Sequence, residues 1–315
     1  ESPGKAGLSV LLIEKNNLGG VCLNEGCIPT KTLLYSAKTY DSAKHASKYA
    51  INVSEVSFDL SKIIVRKSKV VRKLVLGVKA KLASNNVAIV SGEAQIIDKN
   101  TVRCGEETYE GENLILCTGS ETFIPPIPGV ETVNYWTHRD ALDNKELPAS
   151  LAIVGGGVIG MEFASFFNSL GVQVTVVEML DEILGGMDKE LSALLRAEYA
   201  KRGIKFLLST KVVGLSQTEG AAVVSYENAE GSGSVVAEKL LMSVGRRPVT
   251  KGFGLENLNL EKTERGAVKV DEKMQTTVPG LYAAGDCTGG LLQVAKAVYE
   301  GAQAGTEAAK ALRKG

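Results

Sequence analysis

Histidine is almost missing from this chain, with only His45 and His138 among 315 residues. Neither belongs to a cluster with metal-ligand spacing, so no metal site is expected. An excess of one charge is missing too, since 36 Lys+Arg balance 36 Asp+Glu. That balance removes the electrostatic case for a nucleic-acid or membrane-surface partner. No apolar run is long enough to span a bilayer, which leaves a membrane protein of the helical kind without support. Cysteine is scarce, odd in number and irregularly spaced: Cys22, Cys27, Cys104, Cys117 and Cys287. This excludes the disulfide framework of a small secreted domain. A reducing compartment with one catalytic pair fits better. Cys104, Cys117 and Cys287 sit in or beside strand-like runs and read as small buried residues.

What is present suits a soluble globular protein with room for two domains: 44% hydrophobic and 23% charged residues, and 34 glycines that fall at discrete turns. The organising stretch is GGVCLNEGCIPTK, residues 19–31. Cys22 and Cys27 stand five positions apart, with glycines before the first and between them. Glycine allows tight turns and close ligand approach. Residues 31–44 lack glycine and proline and read as a helix, so Cys27 opens a helix, where the positive end of the dipole favours thiolate. Spacing alone leaves two readings open, buried structural cysteines or a redox pair; the flanking glycines and the motifs further on favour redox chemistry.

Three further signals follow along the chain. Residues 8–13 form a buried-type strand ending in Glu14, the pattern of a second Rossmann strand whose acid holds a ribose; on its own it is an ordinary strand-end carboxylate. Residues 151–154 form a strand that runs into Gly155-Gly156-Gly157-Val158-Ile159-Gly160, then a helix (161–170), then a second strand (172–177) ending in Glu178. Strand, glycine turn, helix and acid together point to dinucleotide binding. Gly155, Gly157 and Gly160 supply the tight turn, the close pyrophosphate approach and the close helix–strand packing. Glu178 would accept ribose hydroxyls and repel a 2′-phosphate, and no arginine follows it, which favours NAD(H) over NADP(H). Finally, residues 281–284 form a buried strand that delivers Gly285 and Asp286 at its carboxyl end, where ligands bind in α/β sheets.

The run GGVCLNEGCIPTK resembles the redox-disulfide motif of the FAD-dependent pyridine nucleotide–disulfide oxidoreductases, most similar to their dihydrolipoamide dehydrogenase branch. The resemblance covers most of the chain, from about Gly4 to Thr288. It implies an α/β fold of two Rossmann-like, three-layer FAD/NAD(P)-binding domains, with the NAD domain (149–272) inserted in the FAD domain (1–148 and 273–315). It implies FAD contacts at Glu14, Gly20, Lys31, Thr118, Gly119, Gly285 and Asp286, and NAD contacts at Gly155, Gly157, Gly160, Glu178 and, in the Gly245-Arg246-Arg247-Pro248 turn, Gly245. By the same likeness Cys27 is the thiolate against the flavin and Cys22 the interchange thiol. Lys31 lies near the flavin N5, paired with Glu162. The substrate implied is a small-molecule or lipoyl dithiol, and the compartment is the cytoplasm, or the mitochondrial matrix in a eukaryote.

The sequence departs from the family at both ends. The first strand and FAD phosphate turn expected before Gly4 do not appear. Nor does the C-terminal dimer-interface domain, which supplies a His-Glu acid–base pair across the family's homodimer. The last helix (291–313), closed by Lys314 and Gly315, carries Ala295 where that branch has a histidine, and its lettering resembles low-molecular-weight thioredoxin reductases. Thiol–disulfide exchange needs a base and an acid, so poor turnover with dihydrolipoamide and surviving NADH-driven diaphorase chemistry are expected. Competing readings are a mercuric or glutathione reductase-like enzyme, a transhydrogenase relative, a truncated or engineered NAD-binding scaffold, and a module docking to 2-oxo acid dehydrogenase complexes. The basic side of residues 60–84 (Lys62, Arg66, Lys69, Arg72, Lys73, Lys79 and Lys81) reads as a solvated helix face.

Overall fold

The computed structural model describes residues 1–313; the closing cap expected at Lys314 and Gly315 lies outside them. From the N-terminus, α1 (Ser2–Lys5) leads to β1 (Val10–Glu14), the short α2 (Gly20–Glu25), α3 (Cys27–Lys44) and α4 (Leu60–Ser84). Then come β2 (Val87–Ser91), β3 (Ala94–Ile96), β4 (Thr101–Cys104), β5 (Glu107–Glu110), β6 (Leu114–Leu116), β7 (Ser120–Thr122), β8 (Tyr135–Trp136) and α5 (His138–Asp143). The glycine fingerprint lies between β9 (Ser150–Val154) and α6 (Val158–Ser169), followed by β10 (Gln173–Val177), α7 (Lys189–Lys201) and β11 (Lys205–Leu207). β12 (Lys211–Thr218), β13 (Ala221–Asn228), β14 (Gly231–Ala237), β15 (Lys239–Met242), β16 (Arg246–Pro248), β17 (Leu281–Ala283) and α8 (Val294–Leu312) complete the order.

These elements form two compact units. The first contains Glu1–Asn24, Arg72–Glu121 and the chain from Arg246 onward; the second contains Glu25–Val71 and Thr122–Gly245.

The second unit is layered. Its five-stranded sheet has the order β11-β10-β9-β15-β8, every neighbouring pair parallel. Side chains alternate across a strand, and β9 shows the consequence. Leu151 and Ile153 join the helices in a core with Leu33 of α3 and Phe163, Phe166 and Phe167 of α6. Ala152 and Val154 point the other way, into a core with Val224, Ala237, Leu240 and Met242. The region read as a hairpin is a three-stranded antiparallel sheet, β12-β13-β14, which covers that opposite face. α6 buries residues on most of its circumference, as a helix apolar all round must.

The first unit carries two parallel pairs, β1 with β2 and β6 with β17, and the antiparallel sheet β3-β4-β5. Its core gathers Ile96, Val102, Leu116, Val268, Leu281 and Cys287. α1 and α8 approach closely at Gly305, where an added Cβ would lie 2.8 Å from Pro3 Cδ.

Some local expectations need correction. Cys104 and Cys287 are buried, but Cys117 is exposed. Desolvation of its thiol, with the nearby Cys287 thiol, pushes its pKa up to about 12. β5 was not expected, because its Glu-Thr-Tyr-Glu lettering has no apolar alternation. On α4 the basic side chains are exposed as expected, yet Lys67 is buried; its Nζ donates to Leu142 O at 3.1 Å and pairs with Asp143. Among the described residues no helix is long and apolar enough to cross a membrane.

Phe167 is 1% exposed and lies 5.1 Å from the Phe166 ring and 5.9 Å from the Trp136 ring. Phe167→Ala should therefore destabilise the protein by about 3–5 kcal/mol. Urea unfolding checks this, and a loss below about 1 kcal/mol would contradict this core.

Candidate dinucleotide and redox site

The glycine fingerprint divides its work among three glycines. Gly155 has φ +105°, and an added Cβ would lie 2.2 Å from Ser243 O, so neither its backbone nor its space admits a side chain. Its N–H donates to Val177 O at 2.9 Å, tying the turn to β10. Gly160 sits where a Cβ would meet Gly155 O at 2.2 Å, which lets α6 pack down on the turn. Gly157 is the N-cap of α6, and a Cβ there would meet nothing within 4 Å. Backbone closed on two sides and open at the helix N-terminus is a cradle that suits a pyrophosphate.

Glu178 stands just past β10. Its Oε2 accepts the Gly156 N–H at 2.5 Å and its Oε1 the Leu180 N–H at 2.8 Å. The carboxylate read as a ribose acceptor thus also braces the glycine turn, and each oxygen keeps a further lone pair. The cations that follow are already paired. Lys189 binds Asp181 at 2.6 Å, and Arg196 forks onto Glu182. The Lys189 ammonium holds the Asp181 carboxyl below its usual range, and the Arg196 guanidinium does the same to Glu182. Gly245 has φ +120°, and its carbonyl accepts the Phe123 N–H at 3.0 Å.

The same unit brings Lys31 and Glu162 together across α3 and α6, with Nζ 2.5 Å from Oε1. The pairing rests on the cores of those helices, where Leu33 and Ala37 join Phe163 and Phe167.

Cys22 lies within α2, and Cys27 is the first residue of α3, with Gly26 as its N-cap. The two cysteines are disulfide-bonded. Pro29 falls in the first turn, where its missing N–H costs nothing. Two residues not singled out in the sequence hold the loop. Asn24 donates from Nδ2 to Leu18 O and Gly20 O, both at 3.0 Å, closing the glycine turn in which Gly20 has φ +72°. Glu25 is gripped by the guanidinium of Arg139 on α5, with Nη2 2.7 Å from Oε1 and Nε on the other oxygen. A polar residue at the end of a loop carries no sequence signal for such a partner.

In the first unit, Glu14 ends β1 and accepts the Asn16 N–H at 2.9 Å. Thr118 donates from Oγ1 to Val249 O at 2.6 Å, and Gly119 accepts the Val249 N–H at 3.0 Å. Asp286 accepts a hydrogen bond from Ser120 Oγ at 2.6 Å. Arg246 in turn donates to Ser120, Nε to Oγ at 2.8 Å and Nη2 to the carbonyl at 2.6 Å. Ser120 and Arg246 were missed as partners of the Gly-Asp turn because 166 and 40 positions separate them from Asp286. Glu14, Gly20, Cys22, Thr118, Gly119, Gly285 and Asp286 belong to the first unit. Cys27, Lys31, Gly155, Gly157, Gly160, Glu162, Glu178 and Gly245 belong to the second. Among the described residues no group of His, Cys, Asp and Glu could hold a metal ion.

The family described as pyridine nucleotide-disulphide oxidoreductase matches residues 1–301. A dihydrolipoyl dehydrogenase of Geobacillus stearothermophilus is 37% identical over 300 residues, covering 94% of this chain and 63% of that protein. One from Acholeplasma laidlawii is 40% identical over 300 residues, covering 94% of this chain and 87% of that protein. Among solved structures, the Cu(II) complex of the HOCl-induced flavoprotein disulfide reductase RclA from Escherichia coli superposes with a TM-score of 0.82 at 32% identity, over 94% of this chain and 65% of that one. The chain thus spans under two thirds of the length of the Geobacillus and Escherichia relatives.

Gly155→Ala should weaken NADH binding by at least about tenfold, since the new Cβ must displace the Ser243 carbonyl. NADH fluorescence on titration with protein measures this, and affinity within about twofold of the parent would contradict the cradle.

Proposed function

Because the chain belongs to the pyridine nucleotide-disulphide oxidoreductase family, we propose that it passes electrons between NAD(H), FAD and the Cys22–Cys27 pair. The electrons would be exchanged with a dithiol or disulfide of the lipoyl class. The observation that carries this reading is the disulfide at the mouth of α3, in a chain that also holds a complete dinucleotide fingerprint. In the reducing direction NADH gives up a hydride, and the disulfide takes its two electrons and one proton, leaving Cys22 as thiol and Cys27 as thiolate. In the other direction a dithiol substrate is oxidised to its disulfide as NAD⁺ is reduced. Bound FAD supplies the two-electron relay between nicotinamide and sulfur.

The chain's own residues have distinct tasks in this proposal. Gly155, Gly157 and Gly160 hold the NAD pyrophosphate at the N-terminus of α6, Glu178 takes a ribose hydroxyl, and Gly245 lines the same cofactor. Glu14 takes the FAD ribose, while Gly20, Thr118, Gly119, Gly285 and Asp286 line the flavin nucleotide. Cys27, at the positive end of α3, is held as thiolate. Cys22 exchanges with substrate sulfur. Lys31, kept in place by Glu162, sets a positive charge where the flavin gains negative charge. We propose domain limits of 1–148 with 273–315 for FAD and 149–272 for NAD, and a homodimer as the assembly. This account favours a dithiol oxidoreductase of the dihydrolipoyl dehydrogenase kind, by analogy with the Geobacillus and Acholeplasma relatives.

The test is a thiol count. Protein supplied with FAD and treated anaerobically with NADH should expose two further alkylatable thiols, mapped to the Cys22 and Cys27 peptides, and Cys27→Ser should abolish the NADH-dependent gain. Consumption of NADH with the disulfide left closed would contradict the proposal.

A further inference from the structure

Gly285 leaves the sheet with φ +84° and ψ −152°, a conformation open only to glycine. β17 ends at Ala283, so its ladder does not extend to Gly285. Its N–H is instead satisfied by a side chain of α8, while its carbonyl accepts the Thr288 N–H at 3.0 Å and is reached from the same helix as well. The Glu300 carboxylate accepts the Gly285 N–H at 2.9 Å, and the Lys296 ammonium donates to the Gly285 carbonyl at 3.2 Å. Lys296 spends its other two protons on Thr288 Oγ1 at 2.8 Å and Glu300 at 2.9 Å. Thr288 Oγ1 has one proton and two acceptors in reach, Gly285 O at 2.8 Å and Glu300 Oε2 at 3.0 Å. Glu300 is buried, with 8% of its surface accessible. All of these residues lie in the first unit.

A buried ion pair is a poor source of net stability, because desolvation offsets its Coulomb energy. Here it does something a hydrophobic pair cannot: it gives the Gly285 N–H the acceptor that a strand neighbour would have supplied. We infer that Lys296 and Glu300 are positioning residues that fix the Gly285–Asp286 turn and thereby set the affinity of the flavin site. The inference rests on the proposal that this turn holds FAD. Asp286 is then held from two directions, its carboxylate by Ser120, itself held by Arg246, and its preceding peptide by Lys296 of α8. Thr288 closes the turn on its far side, bonded to both members of the pair.

The test uses the full chain as Glu300→Ala and Glu300→Gln, with FAD affinity, NADH affinity and amide hydrogen exchange of the flavin-free protein as readouts. Glu300→Ala leaves the Gly285 N–H without its acceptor, so FAD binding should weaken by at least about tenfold and exchange at Gly285 should quicken by a similar factor. Glu300→Gln keeps a carbonyl oxygen for that N–H and should return FAD affinity to within about threefold of the parent. NADH affinity should stay within about twofold in both, because the fingerprint lies in the other unit. FAD binding unchanged in Glu300→Ala, no rescue by Glu300→Gln, or a joint loss of FAD and NADH affinity each overturns the inference. If the parent protein takes up no FAD, the flavoprotein reading fails separately. Exchange at Gly285 then decides the latch alone: quickened in Glu300→Ala it stands, and unchanged it falls.

Discussion

Parallel strand pairing is the constraint on which the rest of this structure depends. Parallel neighbours point the same way, so the turns that leave them are collected at one edge of each sheet. In the second unit Val154, Val177 and Met242 stand in register at the ends of β9, β10 and β15. The residues that follow are Gly155, Glu178 and Ser243; Gly155 stands against Ser243 O, and the next residue, Gly156, donates to the Glu178 carboxylate. In the first unit Leu116 and Ala283 end in register, and Cys117 to Ser120 and Gly285-Asp286 emerge side by side. Hydrogen bonding of the backbone therefore brings together groups that lie up to 166 positions apart.

What lay in the sequence was whatever depends on neighbours along the chain. Helix α4 runs from Leu60 to Ser84 as its spacing predicts, and β4 keeps its expected limits of Thr101 and Cys104. α7 starts where Asp188 can cap the Glu190 and Leu191 N–H groups. The glycine fingerprint was legible because tight turns tolerate few residues. What stayed hidden depends on contacts across the chain. α2 begins on a glycine run that reads as pure turn, and Asn24 closes it through its side chain. Lys67 sits in a basic stripe indistinguishable from its exposed neighbours, yet it is drawn inward by Asp143 and a carbonyl at the end of α5. Cys117 carries the lettering of a buried strand residue, but its place at the end of β6 leaves it exposed.

Electrostatics in this chain serves placement more than stability. Lys31 is 60% exposed, so its pair with Glu162 is worth about 0–1 kcal/mol. Deleting such a pair would barely move an unfolding curve, yet it would release the Lys31 ammonium from Glu162 of α6. The Arg139–Glu25 fork acts likewise on the loop between the two cysteines, and the Arg246–Ser120–Asp286 chain on the Gly-Asp turn. Burial in the aromatic core around α6 supplies the rigidity against which these polar groups are held. Stability and chemistry thus draw on different residues, the first on Phe163, Phe166 and Phe167, the second on charged groups at strand and helix ends.

The central claim is that this chain couples a nicotinamide to a cysteine pair through a flavin. The visible absorption spectrum of the purified protein, taken before and after anaerobic addition of NADH, tests it most directly. The account predicts a flavin spectrum that bleaches on NADH addition, with a long-wavelength thiolate–flavin band appearing as the disulfide opens. A colourless protein that cannot be reconstituted with FAD would contradict it.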